Sequence, residues 1–185
     1  AIGRLAYNAD EARRRWESGL DALGQKSATL TILCAQEHAD MIRKLIQTWQ
    51  GALGITLILR LEAVDRAELR TRLEKGDYEI AFAPVTASGS SAVEFLSQFA
   101  SAASGNLLNY SSEAYNKIIS SMNMAASRQL IQLCKQAETH LIQNGLVYPL
   151  YAESSFFAMA QNVSGIVYHT LDGTVRFLKG ERLDS

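Results

Sequence analysis

Cys34 closes an apolar run, and His38 follows it four residues later; this is the pairing in the chain with the residue types of nucleophilic catalysis. A helix opening just after Cys34 would bring its N-terminal N–H groups near the thiol and lower its pKa. The competing reading is a cysteine used as a small apolar strand residue, since His38 on a first helical turn need not point back. His38, His140 and His169 share no metal-ligand spacing with one another or with Cys34 and Cys134, so no metal site is expected. There is no G-x-S-x-G elbow, no Walker loop and no G-x-G-x-x-G. Asn109-Tyr110-Ser111 and Asn162-Val163-Ser164 fit the N-glycosylation pattern, which informs only in a eukaryotic secretory context. On these residues alone no enzyme and no cofactor is implied.

The stretch with the character of a ligand loop lies in mid-chain. Gly76-Asp77 is a turn pair, Tyr78 to Ala83 is apolar and strand-like, and Pro84 cannot donate to a sheet ladder. Val85 to Ser91 is small and polar, and Ala92 to Phe99 reads as a short helix. A buried strand that ends in an open loop before a helix is where α/β proteins present backbone groups to ligands, although a plain structural connection has the same appearance.

The elements that must position this loop follow from periodicity. Helices are expected over Asp10 to Leu23 (Asp10 as N-cap, Gly24 as stop), Glu37 to Leu53, and from Asp65 through Lys75. Ala12, Trp16, Leu20 and Leu23 share one face of the first, and Met41, Ile42, Leu45, Ile46 and Trp49 form the stripe of the second. Leu69 and Leu73 face inward on the third. Thr29 to Cys34 and Ile55 to Leu61 are short, apolar and rich in β-branched residues, hence strands. Alternating helices and strands with short connections imply a mostly parallel sheet flanked by helices, an α/β fold.

The second half is helical first and extended afterwards. A Ser-, Gly- and Asn-rich loop runs from Ser101 to Tyr110, and Ser111 or Ser112 can cap a helix through Met122. Ser127 to Gln143 is a longer helix with Leu130, Ile131, Cys134, Ala137, Leu141 and Ile142 at core spacing. Leu146 to Tyr151 and Ser154 to Ala160 read as extended, and strand-like pieces around Ile166 and Val175 are joined at Asp172-Gly173, a type I′ hairpin signal. Most of the aromatic residues after position 105 should be core, with Tyr110 as a possible ligand contact.

Composition bounds the rest. The 185 residues suit one domain with a full core, 48% hydrophobic and 20% charged, which is globular rather than disordered. A net charge of −1 gives no electrostatic case for nucleic acid or an anionic membrane, and Arg13-Arg14-Arg15 lies among acidic residues on a helical pattern. No apolar run is long enough for a membrane span, and the first residues lack a signal-peptide shape, so an exported protein would contain this chain as an excised or mature piece. Cys34 and Cys134 form no CxxC; they allow one disulfide without arguing for it, and a free, buried thiol is the favoured state of each.

In order, the segments resemble the second lobe of extracellular solute-binding proteins of ABC importers, of the oligopeptide/dipeptide/nickel class (family 5). Tyr7-Asn-Ala-Asp-Glu-Ala-Arg13 is similar to the family's Y-x-x-D-x-A-x helix, and Leu73-Glu-Lys-Gly-Asp-Tyr-Glu-Ile-Ala-Phe-Ala83 to its L-x-x-G-D-F-D-x-A-x-x. Phe95-Leu96, Gly105-Asn106, Tyr110, Tyr115 and Ile118-Ile119 match later parts of the pattern. The helix over 125–144 with Val147-Tyr-Pro-Leu-Tyr151 resembles its A-E-x-x-L…P-x-I-P-L-Y. The resemblance covers essentially the whole chain and is carried by order and spacing.

What the resemblance implies is one lobe, residues 1–185, of the type II periplasmic-binding-protein fold, holding a small solute against a first lobe outside this chain. The function implied is peptide uptake without catalysis, the partners being that first lobe and an ABC permease, and the location extracytoplasmic, periplasmic or lipid-anchored on the cell surface. No nucleic acid and no cofactor are implied. Ligand contacts would come from Val85, Thr86, Ala87, Ser88, Asn106 and Tyr110. One departure bears on the ligand: where peptide-binding members read G-W-x-A-D-Y, this chain has Pro84-Val-Thr-Ala-Ser-Gly89, with Ser88 at the position of the amine-binding Asp and Val85 at that of the Trp. A serine accepts a hydrogen bond but brings no charge to an ammonium. For an excised lobe, Ala1 and Ser185 should emerge close together. Two other readings stay open: a small stand-alone thiol enzyme using Cys34, and the ligand-sensing domain of a transcription regulator.

Overall fold

A computed structural model describes residues 7–86, 91–152, 158, 160–168, 175–176 and 181–182. Ala1, Ser185, Ala87, Ser88, His169 and the Asp172-Gly173 turn lie outside the described residues, as does most of 154–160.

Three strands, β1 (Ala28–Ala35), β2 (Leu57–Val64) and β3 (Ile80–Phe82), form a parallel sheet in the order β2-β1-β3. Helix α1 (Ala9–Ala22) precedes β1; a 3-10 turn (Gln36–His38) and α2 (Ala39–Leu53) lead from β1 to β2; α3 (Arg66–Lys75) leads from β2 to β3. The central strand explains its own sequence. Ile32, Leu33, Cys34 and Ala35 are all buried, because β1 is covered on both faces, and such strands read as continuous apolar runs rather than alternating ones.

Strand parity divides the side chains between two layers. Ile32, Cys34, Leu57 and Leu59 pack with Ile42, Trp16, Leu45 and Trp49 from α1 and α2. Leu33 and Ala35 pack on the other face with Leu69 and Leu73 of α3, as the helical spacing predicts. Each of these leucines, fully buried, contributes on the order of 1.5–3 kcal/mol of transfer free energy.

The helix ends show which residues do the capping. Asn8 caps α1, its Oδ1 accepting from the Glu11 N–H at 2.9 Å, so the cap is two residues ahead of the expected Asp10. Asp65 caps α3 in the same way at 2.8 Å. Gly76 ends α3 in the left-handed region (φ 68, ψ 24), with the Asp77 N–H bonded back to the Arg72 carbonyl at 2.9 Å. The strand expected from Ile55 starts two residues later and runs to Val64, while Ile55 is 96% exposed in the turn before it. Leu23 and Ile131, placed inward by helical spacing, are exposed because nothing among the described residues packs over them.

The second half builds its own core. Helices α4 (Ala92–Ser97), α5 (Glu113–Met122) and α6 (Ser127–Gln143) bury Leu96, Phe99, Tyr115, Ile119, Met122, Ala137 and Leu141 against one another. Ser91 and Glu94 form a reciprocal capping box on α4, and Ser112 caps α5. The Tyr115 hydroxyl donates to the Leu96 carbonyl at 2.9 Å inside this core. Four two-residue strands, β4 (Val163–Ser164), β5 (Val167–Tyr168), β6 (Val175–Arg176) and β7 (Glu181–Arg182), pair antiparallel as β4-β7 and β5-β6. The β5-β6 pair brings the strand-like pieces expected around Ile166 and Val175 together antiparallel, while the turn expected at Asp172-Gly173 lies outside the described residues.

Candidate functional site

The topology singles out one place. The chain leaves β1 toward β2 on one side and enters β3 on the other, so the connections from the ends of β1 and β3 diverge. In open parallel sheets that divergence opens a crevice at the carboxyl ends of the strands. Here it is bounded by the 3-10 turn after β1 and by residues 83–86 after β3.

After Phe82 the chain leaves the sheet. Pro84 has no N–H to give, and Pro84, Val85 and Thr86 are exposed. Among the described residues, none of 83–86 makes a backbone hydrogen bond outside the sheet ladder. The Val85 and Thr86 peptide groups are therefore available to a ligand. The loop then feeds α4 through the Ser91–Glu94 capping box, which fixes where the helix starts.

Aromatic rings line the floor beside this segment. The His38 and Phe82 rings meet edge to face with centroids 5.1 Å apart, and Tyr151 lies 6.2 Å from Phe82 at an interplanar angle of 32°. His38 is held near Glu37, 3.5 Å away, and Glu37 is itself paired with Arg66 at 2.6 Å. The Arg66 hydrogen bond holds the Glu37 carboxyl below its ordinary pKa of 4.5. Tyr151 is 52% exposed and Val85 43% exposed, unusual for large apolar side chains beside a core. Neither His38 nor Tyr151 was singled out as a ligand contact by sequence reasoning; the signal available was only the Tyr-Pro-Leu-Tyr run before residue 152.

The other sequence candidates stand elsewhere. Asn106 and Tyr110 are brought together: the Asn106 amide donates to the Tyr110 carbonyl at 3.0 Å and its Oδ1 accepts from the Leu108 N–H at 3.2 Å. The Tyr110 hydroxyl is 3.0 Å from His140 Nε2, which is also within 3.5 Å of the Ser112 hydroxyl. These groups brace the 103–110 loop against α6. The loop reaches the sheet where β3 is entered, through the Tyr78 hydroxyl donating to the Leu107 carbonyl at 2.6 Å and Asn109 packed on Gly76. Val85 and Thr86 lie where β3 is left.

Cys34 does not fit a nucleophile. Its side chain is buried in the layer under α2 with 0% exposure, and burial pushes its thiol pKa up from the ordinary value, outweighing the lowering effect of Arg43. His38 is turned onto Phe82 rather than toward a thiolate. The thiol-enzyme reading is corrected on this ground: the residue acts as a small apolar strand residue. A cleft of about 320 Å³ on the α3 side is lined by Thr31, Glu62, Arg72, Asp77 and Glu79, and the charges in its wall pair with one another, Arg72 with Glu62 at 2.6 Å and with Asp77 at 3.1 Å. Among the described residues no group of three or more His, Cys, Asp or Glu is placed to hold a metal ion, and no helix is long and apolar enough to cross a membrane.

No protein-family model matches the sequence, and no curated protein does. Solved structures do match the fold. The substrate-binding domain of an oligopeptide ABC transporter from Bacillus anthracis superposes with a TM-score of 0.78 at 18% identity, covering 96% of this chain and 35% of that one. OppA of Listeria monocytogenes bound to peptide gives 0.78 at 19% identity, covering 97% of this chain and 34% of that one. This chain thus spans about a third of the length of those it matches. The likeness establishes the fold expected from the sequence resemblance: an α/β body of the periplasmic-binding-protein type, whose neighbours are transport proteins.

Proposed function

We propose that this chain is the peptide-binding lobe of a solute-binding protein serving an ABC importer, and not an enzyme. The observation that carries the proposal is the fold match over 96% of the chain to a protein described as an oligopeptide transporter's substrate-binding domain, together with one described as bound to peptide over 97%. The open segment after β3 supports it, because an extended peptide needs unpaired backbone partners and Val85 and Thr86 offer them. Ala87 and Ser88 continue that segment in sequence and complete the proposed contact surface. Asn106 and Tyr110 are kept as proposed contacts on the sequence resemblance alone, since the loop they brace meets the sheet where β3 is entered. Ser88 would meet a peptide terminus as a neutral hydrogen-bond partner. A first lobe would close over the bound peptide, and the closed form would engage a permease on the extracytoplasmic face of the membrane.

The test is titration of this chain with short peptides, followed by amide NMR shifts and calorimetry, with free amino acids and sugars as controls. Saturable peptide binding weaker than micromolar is expected, with shifts at Val85 and Thr86, since the enclosing contacts of the first lobe are missing. A micromolar or tighter complex would contradict the two-lobed arrangement. No response to any peptide at millimolar concentration would sink the peptide reading itself.

A further inference from the structure

We infer that His38, Phe82 and Tyr151 form a side-chain subsite that selects an aromatic or branched apolar residue of the bound peptide; the inference rests on the peptide-binding reading above. Three rings stand in series at the carboxyl end of β3, and the outermost, Tyr151, is left half in water. Val85, three residues beyond Phe82, is exposed, and Leu150 next to Tyr151 is also exposed at 41%. A peptide paired along residues 84–86 would therefore run past a surface that is apolar and aromatic.

Among the described residues, the Glu37 carboxylate beside His38 is already held by Arg66 at 2.6 Å. A charged side chain of either sign would lose hydration against the rings. An aromatic side chain gains both area burial and edge-to-face contact with Phe82 or Tyr151.

The experiment titrates the chain by NMR with Ala-Phe-Ala, Ala-Leu-Ala, Ala-Ala-Ala, Ala-Lys-Ala and Ala-Glu-Ala, following the His38 ring and the Val85 amide. The phenylalanine and leucine peptides are expected to bind about three- to tenfold more tightly than the lysine and glutamate ones, the size of one aromatic contact. Tyr151→Ala should weaken Ala-Phe-Ala by several-fold more than Ala-Ala-Ala, and Tyr151→Phe should keep the preference. Equal affinity for all five peptides overturns the subsite while leaving the peptide reading intact. Silence toward all five overturns both.

Discussion

Replacing Gly76 by alanine probes the joint between the two halves of the molecule. Gly76 sits at φ 68 and ψ 24, where an L-residue costs about 1–2 kcal/mol. A Cβ there would also overlap the side-chain amide nitrogen of Asn109 and stand 3.1 Å from its Cγ. Asn109 has little freedom to withdraw. It occupies φ 48 itself, and its loop is pinned by the Tyr78 hydroxyl on the Leu107 carbonyl. Forcing its side chain off a rotamer adds about 0.5–1.5 kcal/mol. The total is near 2.5 kcal/mol, which in a chain of this size lowers the melting temperature by roughly 5–10 °C. Asn109→Gly removes the obstructing amide while keeping a residue that tolerates positive φ. Urea and thermal unfolding of Gly76→Ala, Asn109→Gly and the double variant should then show coupling: alanine at 76 costs about 1 kcal/mol less when Asn109 is absent. Effects that add to within about 0.5 kcal/mol would refute the packing of this loop on the α3–β3 turn.

Two further outcomes follow from the site's surroundings. Cys34 should resist iodoacetamide at neutral pH in the folded chain, because its thiol is buried and its pKa raised, and should react once the chain is unfolded in urea. Rapid modification of native Cys34, seen by peptide mass mapping, would bring back the thiol-enzyme reading. Arg66 keeps the Glu37 carboxyl below its ordinary pKa of 4.5, so its contribution to stability is fully present above that value and disappears as pH falls through the lower, folded-state value. Glu37→Gln should flatten the acid limb of the stability–pH curve and leave its neutral region little changed; an unaltered acid limb would mean the Arg66 pair contributes nothing in solution.

Which elements form was written locally. Periodicity located α6 over residues 127–143 and put Leu69 and Leu73 inward on α3, and the side chains of Asp65 and Ser112 could be read as caps because a cap acts within three residues. Alternation of helix and strand was enough for a parallel α/β sheet, since parallel strands need crossovers of this length. The two misplaced core residues have one cause. Leu23 and Ile131 lie on the apolar side of their helices, yet helical phase gives a direction and not a neighbour, and no described element packs over them.

The candidate site was legible only as a loop. That the strand read as Tyr78 to Ala83 must stop at Pro84 was visible in the chain, though its paired part is only Ile80–Phe82; that His38, Phe82 and Tyr151 meet was not, because their sequence separations carry no periodic signal. Nor could sequence tell that Tyr110 is tied to His140, thirty residues away, or that Asn109 lies on Gly76. Short-range hydrogen bonds and side-chain phase determined the pieces. The docking of the helical core onto the sheet decided which side chains are spent inside the protein and which are left at the strand ends for a ligand.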